Sequence, residues 1–192
     1  MTPDLRDDAA KPVAVIVRSA TPEDAERIAA LHTQGWLNYR GLLPDRFLDD
    51  PERPGRALAR WRSQLAATTD GTGTREPVMQ VAVAEAAGRV VGFASWGPCF
   101  DPGLRDHDEM VDLWVDADER GRGIGSALLR HGLASCRRPV AFWVLRGNDR
   151  AAALYRRFGA VDGRLDRRQP LATGAGGEDL VGDMVDHLWV IR

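Results

Sequence analysis

Lysine is almost missing from this chain. Among 26 lysine and arginine residues in 192, Lys11 is the only lysine. The 28 acidic residues are interleaved with the arginines and leave a formal charge of −2. Such a balance gives no general attraction to nucleic acid or to a membrane surface. Cysteine is scarce as well, with Cys99 and Cys136 alone. Two thiols do not make a disulfide scaffold at this length, so a reducing cytoplasm is the expected compartment. No apolar run approaches the roughly 20 residues that span a bilayer. The first residues are acidic and have no apolar segment, which predicts a disordered leader over 1–12 and no signal peptide. No cluster of His, Cys and Asp stands at metal-ligand spacing, so no metal site is expected.

What remains is an ordinary globular composition, 44% hydrophobic and 28% charged. It is enough for one domain over 13–192 with a proper core. A β-branched run at 13–17 leads into Thr21-Pro22-Glu23-Asp24, a helix start with Thr21 as N-cap and Pro22 in the first turn. That helix should run to about Gly35. A second helical region opens at Pro44-Asp45, breaks at Pro51 and Pro54, and resumes through Leu58, Trp61 and Leu65. A Gly/Thr loop at 68–77 precedes two strands, 78–84 and 89–96, joined as a hairpin at Ala87-Gly88. After an acidic loop at 97–108 come a strand at 110–115 and a helix at 124–133. An apolar strand at 139–145 follows, its uniform character suiting a position covered on both faces. A short helix then runs from Asn148 or Asp149 to Gly159. Two final strands, about 160–168 and 184–191, flank a Gly-rich loop at 172–178 that is expected to be mobile.

The most informative stretch joins the strand at 110–115 to the helix that follows. It carries Arg120-Gly121-Arg122-Gly123-Ile124-Gly125-Ser126. Glycines at a strand-to-helix turn bare the backbone N–H groups where the helix begins, and these, with the helix dipole, favour an anion. The expected ligand is a phosphate, most simply a pyrophosphate. A P-loop would need a lysine after its last glycine, and here Ser126-Ala127 stand there. A dinucleotide fold would need G-x-G-x-x-G at the first strand–helix turn and an acidic residue about 20 positions on. The spacing here is G-x-G-x-G, after several earlier strands. A tight turn that uses glycine for packing alone remains the plain alternative.

Arg120-Gly121-Arg122-Gly123-Ile124-Gly125 resembles the acetyl-coenzyme-A loop of the GCN5-related N-acetyltransferase (GNAT) family, whose pattern is Arg/Gln-x-x-Gly-x-Gly/Ala. A second signature of that family stands downstream as Asn148-x-x-Ala151-x-x-x-Tyr155-x-x-x-Gly159. The order of strands and helices matches from about residue 13 to the C-terminus. One departure is Ala160, where the family often has Phe. The resemblance implies an α/β fold: a mostly antiparallel sheet of about seven strands with splayed middle strands, flanked by about four helices.

It also implies acetyl-CoA as co-substrate. Residues 121–126 would hold the pyrophosphate beside Arg120. The strand end Leu113, Trp114 and Val115 would pair with the pantetheine arm, and an N–H near Val115 would polarise the acetyl carbonyl. Asn148 would contact the arm or cap its helix. Direct acetyl transfer needs a neutral amine, a stabilised carbonyl oxygen and a proton for the leaving thiolate. Tyr155 is the candidate acid, since a phenol stays protonated at neutral pH, although it also lies on an apolar stripe. Glu109 is the candidate base, with Asp112, Glu85 and His107 behind it. By the same resemblance the acceptor side includes Trp36 and Tyr39. Asp101, Asp106, Asp108 and Glu109 would lend it a negative field suited to a cationic amine. Neither cysteine has a neighbouring base, which disfavours an acetyl-cysteine intermediate. The expected function is acetyl-CoA-dependent acetylation of a primary amine on a small molecule or peptide. The alternative is a non-catalytic acyl-CoA sensor with the same fold. Family members often dimerise, which leaves a homodimer open.

Overall fold

A computed structural model of the chain describes residues 14–69, 79–174, 177 and 179–192. The leader expected at 1–12, most of the loop expected at 68–77, and residues 175, 176 and 178 of the Gly-rich loop lie outside the described residues.

The β-branched run near the N-terminus forms β1, Val15–Ser19. It pairs antiparallel with β2, Gln80–Ala86, which pairs with β3, Arg89–Pro98. Both turn residues between β2 and β3 have positive φ, 50° at Ala87 and 72° at Gly88. That backbone matches the twist of a two-residue hairpin. Next in the sheet is β4, Asp108–Val115, then β5, Val140–Leu145. The sheet closes with a long hairpin, β6, Val161–Thr173, and β7, Asp179–Ile191, with β7 beside β5. The order is β1-β2-β3-β4-β5-β7-β6, and only β4 and β5 run parallel. The final hairpin is longer than the sequence pattern suggests: pairing continues through 169–173 and 179–183, with register shifts after Asp162 and Leu171.

Thr21 caps a short 3-10 turn, Pro22–Asp24, rather than the helix itself. Its N–H donates to Asp24 Oδ2 at 2.8 Å, and Arg18 grips the same carboxylate at 2.7 Å. Helix α1, Ala25–Trp36, follows, then α2, Asp45–Leu48, and α3, Arg53–Thr69. Residues 68 and 69, expected in a loop, complete the last turn of α3. Helix α4, Ile124–Ser135, and α5, Asp149–Arg157, lie later in the chain.

The sheet has a core on each face. Ile124, Leu128 and Leu129 of α4 meet Val91, Ala94, Met110 and Phe142 on one side. Ile28 and Leu31 of α1, with Trp61 and Leu65 of α3, meet Val81, Val83 and Phe93 on the other. A bulge in β4 decides which side chains reach which face. Ser95 pairs with Asp112 but Trp96 pairs with Met110, which leaves Val111 unpaired and 46% exposed. Beyond the bulge, alternation restarts out of phase. Met110 and Leu113 therefore both belong to the α4 side, while Glu109 and Asp112 point away from it.

Strands β4 and β5 share only two paired positions, Asp108 with Val140 and Glu109 with Ala141. Past these the strands part. The V between them opens toward Val115 on one arm and Leu145 on the other.

Candidate active site

The open end of that V forms a cleft of about 700 Å³. Three segments built for different local reasons converge there. The first is the end of β4. Its edge toward β5 has no ladder partner beyond Glu109, so backbone N–H and C=O groups at 110–115 face the gap. Such an edge is a template for another extended chain. Leu113, Trp114 and Val115 line the cleft.

The second segment is the glycine turn. Gly121 and Gly123 are left-handed, with φ of 81° and 83°, and an added Cβ at either would meet nothing within 4 Å. Gly123 is the N-cap of α4, and the first helical hydrogen bond runs from Ala127 N to Gly123 O at 2.9 Å. Helix geometry therefore leaves the N–H groups of Ile124, Gly125 and Ser126 without helical partners, at the positive end of the dipole. Gly121, Gly123, Ile124, Gly125 and Ser126 line the cleft, with Arg120 and Arg150 close by. This donor set and open backbone fit a diphosphate joined to an extended arm. Arg120 also straps the turn in place: its Nε donates to Val115 O at 3.2 Å and its Nη1 to Asn38 Oδ1 at 2.9 Å. Arg122 is not a lining residue; it pairs with Glu119 at 2.6 Å.

The third segment is α5 and its cap. Asn148 Oδ1 accepts from Ala151 N at 3.1 Å, and its Nδ2 donates to the Tyr39 hydroxyl at 3.0 Å. Asn148 is thus a cap and also a link to the α1–α2 connection. Tyr155, about two turns further, lines the cleft and lies against Phe142 with centroids 4.2 Å apart. Its hydroxyl has no hydrogen bond among the described residues. Burial pushes its pKa well above the ordinary phenol value. Tyr155 is thus both a core residue and a cleft residue.

Tyr39 also lines the cleft, and burial raises its hydroxyl to about 12. Trp36 stands behind it, 5.6 Å from both Tyr39 and Trp114 between centroids. Trp36 does not itself line this cleft.

The carboxylates are placed differently from the expectation. Glu109 sits at the closed end of the V, 8% exposed. It accepts from Cys99 Sγ at 3.3 Å and lies 3.8 Å from Arg167, and burial raises its pKa. The acidic loop before it does not face the cleft. Asp101 caps a turn at Gly103 N, Asp106 pairs with His107, and Asp108 accepts from Arg137 N at 3.2 Å. These side chains serve the loop's own turns and the start of β5, far along the strand from the opening. Glu85 is paired with Arg18 and does not line the cleft. Asp112 is buried beside α1 and α3. It accepts from Ser95 Oγ at 2.7 Å and Arg60 Nη2 at 3.1 Å, with His32 Nε2 3.7 Å away. His32 Nδ1 accepts from Trp61 Nε1 at 3.1 Å, which requires an unprotonated Nδ1. Burial, with Arg60 and Arg53 near, lowers its pKa to about 4.

Burial raises both thiols to about 11, and neither lines the cleft. Among the described residues no group of His, Cys, Asp and Glu could hold a metal, and no helix is long and apolar enough to cross a membrane. Sequence reasoning missed several lining residues, Gly35, Leu42, Gly147 and Arg150 among them. Only Gly35 carried a signal, as a glycine inside a helical pattern. Its hydrogen faces the Trp114 ring, where a Cβ would come within 2.1 Å.

The family model described as Acetyltransferase (GNAT) family matches residues 36–160, from the end of α1 to just beyond α5. The chain belongs to the GNAT family. The splayed β4–β5 pair, the glycine turn and the Asn148–Tyr155 helix are thus the parts of one family fold. A mycothiol acetyltransferase of Rhodococcus jostii is 36% identical over 88 residues, which is 45% of this chain. The match covers 28% of that relative's length. Among solved structures, PaiA N-acetyltransferase from Thermoplasma acidophilum, in complex with coenzyme A, superposes with a TM-score of 0.69 at 14% identity. It covers 93% of this chain and 99% of its own. YncA from Salmonella typhimurium, with its cofactor acetyl-CoA, gives 0.61 at 21% identity, covering 93% and 94%. At these identities the structures speak for the GNAT fold alone.

Proposed function

We propose that this chain transfers an acetyl group from acetyl-CoA directly to a primary amine of a small molecule or peptide. The observation that carries the proposal is the unpaired edge of β4 running into the glycine turn. One continuous wall offers backbone partners to an extended arm and, at its end, N–H donors to a diphosphate. Acetyl-CoA is the co-substrate of the GNAT family, and it has that shape and charge.

In this reading Leu113, Trp114 and Val115 pair with the pantetheine arm, and a β4 N–H polarises the acetyl carbonyl. Residues 121–126 and Arg120 hold the pyrophosphate end. Tyr39, with Trp36 behind it, shapes the acceptor side. The amine nitrogen attacks the carbonyl carbon and the C–S bond breaks. The Tyr155 phenol gives its proton to the departing thiolate. A phenol raised by burial holds that proton until the thiolate forms. The proton lost by the amine passes to Glu109 through intervening water, since Glu109 lies about 13 Å along the strand from Leu113. A carboxylate raised by burial is a better base than an exposed one. Two high-pKa thiols outside the cleft, Cys99 buried against Glu109 and Cys136 half-buried, support transfer without an acetyl-cysteine step. A cytoplasmic location remains part of the reading, on the scarcity of cysteine.

The test is release of free thiol from acetyl-CoA across a panel of amines, peptides and polyamines. Turnover with at least one amine is expected. Acetyl-CoA binding with no release on any acceptor would instead favour the acyl-CoA sensor. For the base, Glu109→Gln should remove the acidic limb of the pH–rate profile; an unchanged profile would take Glu109 out of the mechanism.

A further inference from the structure

A second depression, about 180 Å³, opens between α1 and the first half of α3. Its polar lining is His32, Thr33, Arg53, Arg56 and Arg60. Arg53 is 7% exposed, and its guanidinium lies 3.8 Å above the Phe47 ring centroid. Its Nε and Nη2 are buried and have no hydrogen-bond partner among the described residues, and the same holds for Thr33 Oγ1. A buried guanidinium edge left unpaired is costly, and native structures ordinarily satisfy it.

The nearby carboxylates are committed elsewhere. Asp50 pairs with Arg56 at 2.5 Å and accepts from Glu52 N at 3.1 Å. Asp112 is occupied by Ser95 and Arg60. Arg56 also donates to Gly174 O of the β6–β7 connection. Three guanidiniums thus face the depression against two engaged carboxylates, and His32 is neutral because its Nδ1 accepts from Trp61. The Nε and Nη2 of an arginine point the same way, in the spacing of two carboxylate or phosphate oxygens. Thr33 Oγ1 adds a third donor.

We propose that this pocket binds a small oxyanion group, a carboxylate or a phosphate, through Arg53 Nε and Nη2 and Thr33 Oγ1. The pocket is one side chain away from the acetyl cleft. Trp36 lines it and packs against Tyr39 and Trp114, which line the cleft. The group is carried by the amine acceptor or arrives as a free ion. The first source rests on the acetyltransferase reading; the second does not.

Two arms separate the sources. In the first, inorganic phosphate and acetate are titrated into the wild-type protein, Arg53→Gln and Thr33→Val, against chloride at equal ionic strength. Saturable binding, weakened about 10- to 100-fold by Arg53→Gln and less by Thr33→Val, supports the site with a free ion. In the second, kcat/KM is compared for paired amines that differ only in carboxylate against carboxamide. A preference for the carboxylate that falls by a similar factor in the variants, with the carboxamide unaffected, supports an acceptor-borne group. Thr33→Val is nearly isosteric and keeps the test decisive if Arg53→Gln does not fold. No saturable ion binding and no carboxylate preference altered by either variant would overturn the proposal. The ion arm needs no turnover, so its result stands whether or not acetyl transfer is found.

Discussion

At the scale of single residues, Tyr155 and His32 make separable predictions. Tyr155→Phe keeps the ring against Phe142 and removes only the hydroxyl. It should lower kcat by about 10²- to 10⁴-fold, the usual worth of a general acid, with little change in acetyl-CoA affinity. Full activity would leave Tyr155 as packing. His32 affects stability instead. Its native pKa, about 4, lies below the ordinary 6.5 because burial and neighbouring guanidiniums disfavour the cation. The unfolded chain therefore binds more protons than the native one between those values. Its contribution is fully present above pH 6.5 and is lost as the pH falls through 4, up to about 3 kcal/mol. Urea unfolding at pH 7 and pH 4.5 should show the loss in wild type and a shallower one in His32→Gln. Equal slopes would contradict it. Residue types and spacing made the glycine turn legible in the sequence, while Asn148 and Tyr155 entered through the family signature. The carboxylates were not, because the bulge at Val111 shifts the alternation of β4. No period-2 rule could say that Glu109 and Asp112 share a face, or that the acidic loop spends its charges on its own turns.

At the scale of elements, the glycine turn and α1 can be probed separately. Gly123 needs φ of 83°, whereas Gly125 lies in helix α4, where a Cβ would meet Leu154 and Val115 at an ordinary 3.7 Å. Gly123→Ala should cost about 1–2 kcal/mol in stability through its left-handed backbone. It should also weaken acetyl-CoA binding by filling the space of the cradle. Gly125→Ala should fold normally, in keeping with the Gly/Ala of the family pattern. Thermal unfolding and calorimetric titration of both variants check the contrast. In α1, Gly35→Ala would drive a methyl into the Trp114 ring. A loss of about 1–3 kcal/mol, the range for overpacking, and a raised KM for acetyl-CoA are expected, since Trp114 lines the cleft. A variant as stable as wild type would show that the ring moves freely. Helix caps and strand runs were readable because local chemistry sets them, as at Asn148 and Gly159. The 3-10 turn before α1 was not. Thr21, Pro22 and Asp24 satisfy a 3-10 turn and a first helical turn equally well, and the grip of Arg18 on Asp24 comes from the end of the preceding strand, β1.

At the scale of the whole molecule, function depends on two strands that stop pairing. The sheet is continuous from β1 to β6, yet β4 and β5 pair at only two positions. Separate cores on the two faces hold the arms apart, with α4 and α5 on one side and α1 and α3 on the other. The splaying of the middle strands was expected through a family likeness rather than from residues, because a parting of neighbours is a long-range property with no local mark. The unpaired pocket at Arg53 is likewise invisible in sequence, where one arginine among many has no distinction.

The central claim is that this open edge and its glycine turn hold acetyl-CoA. It is tested most directly by calorimetric titration of acetyl-CoA into wild type and Gly123→Val, with ATP and NAD as controls and circular dichroism to verify folding. Saturable acetyl-CoA binding to wild type is predicted, with at least a tenfold loss in a folded Gly123→Val and no comparable binding of ATP or NAD. Acetyl-CoA binding that is absent from wild type, or equally tight in Gly123→Val, would contradict it.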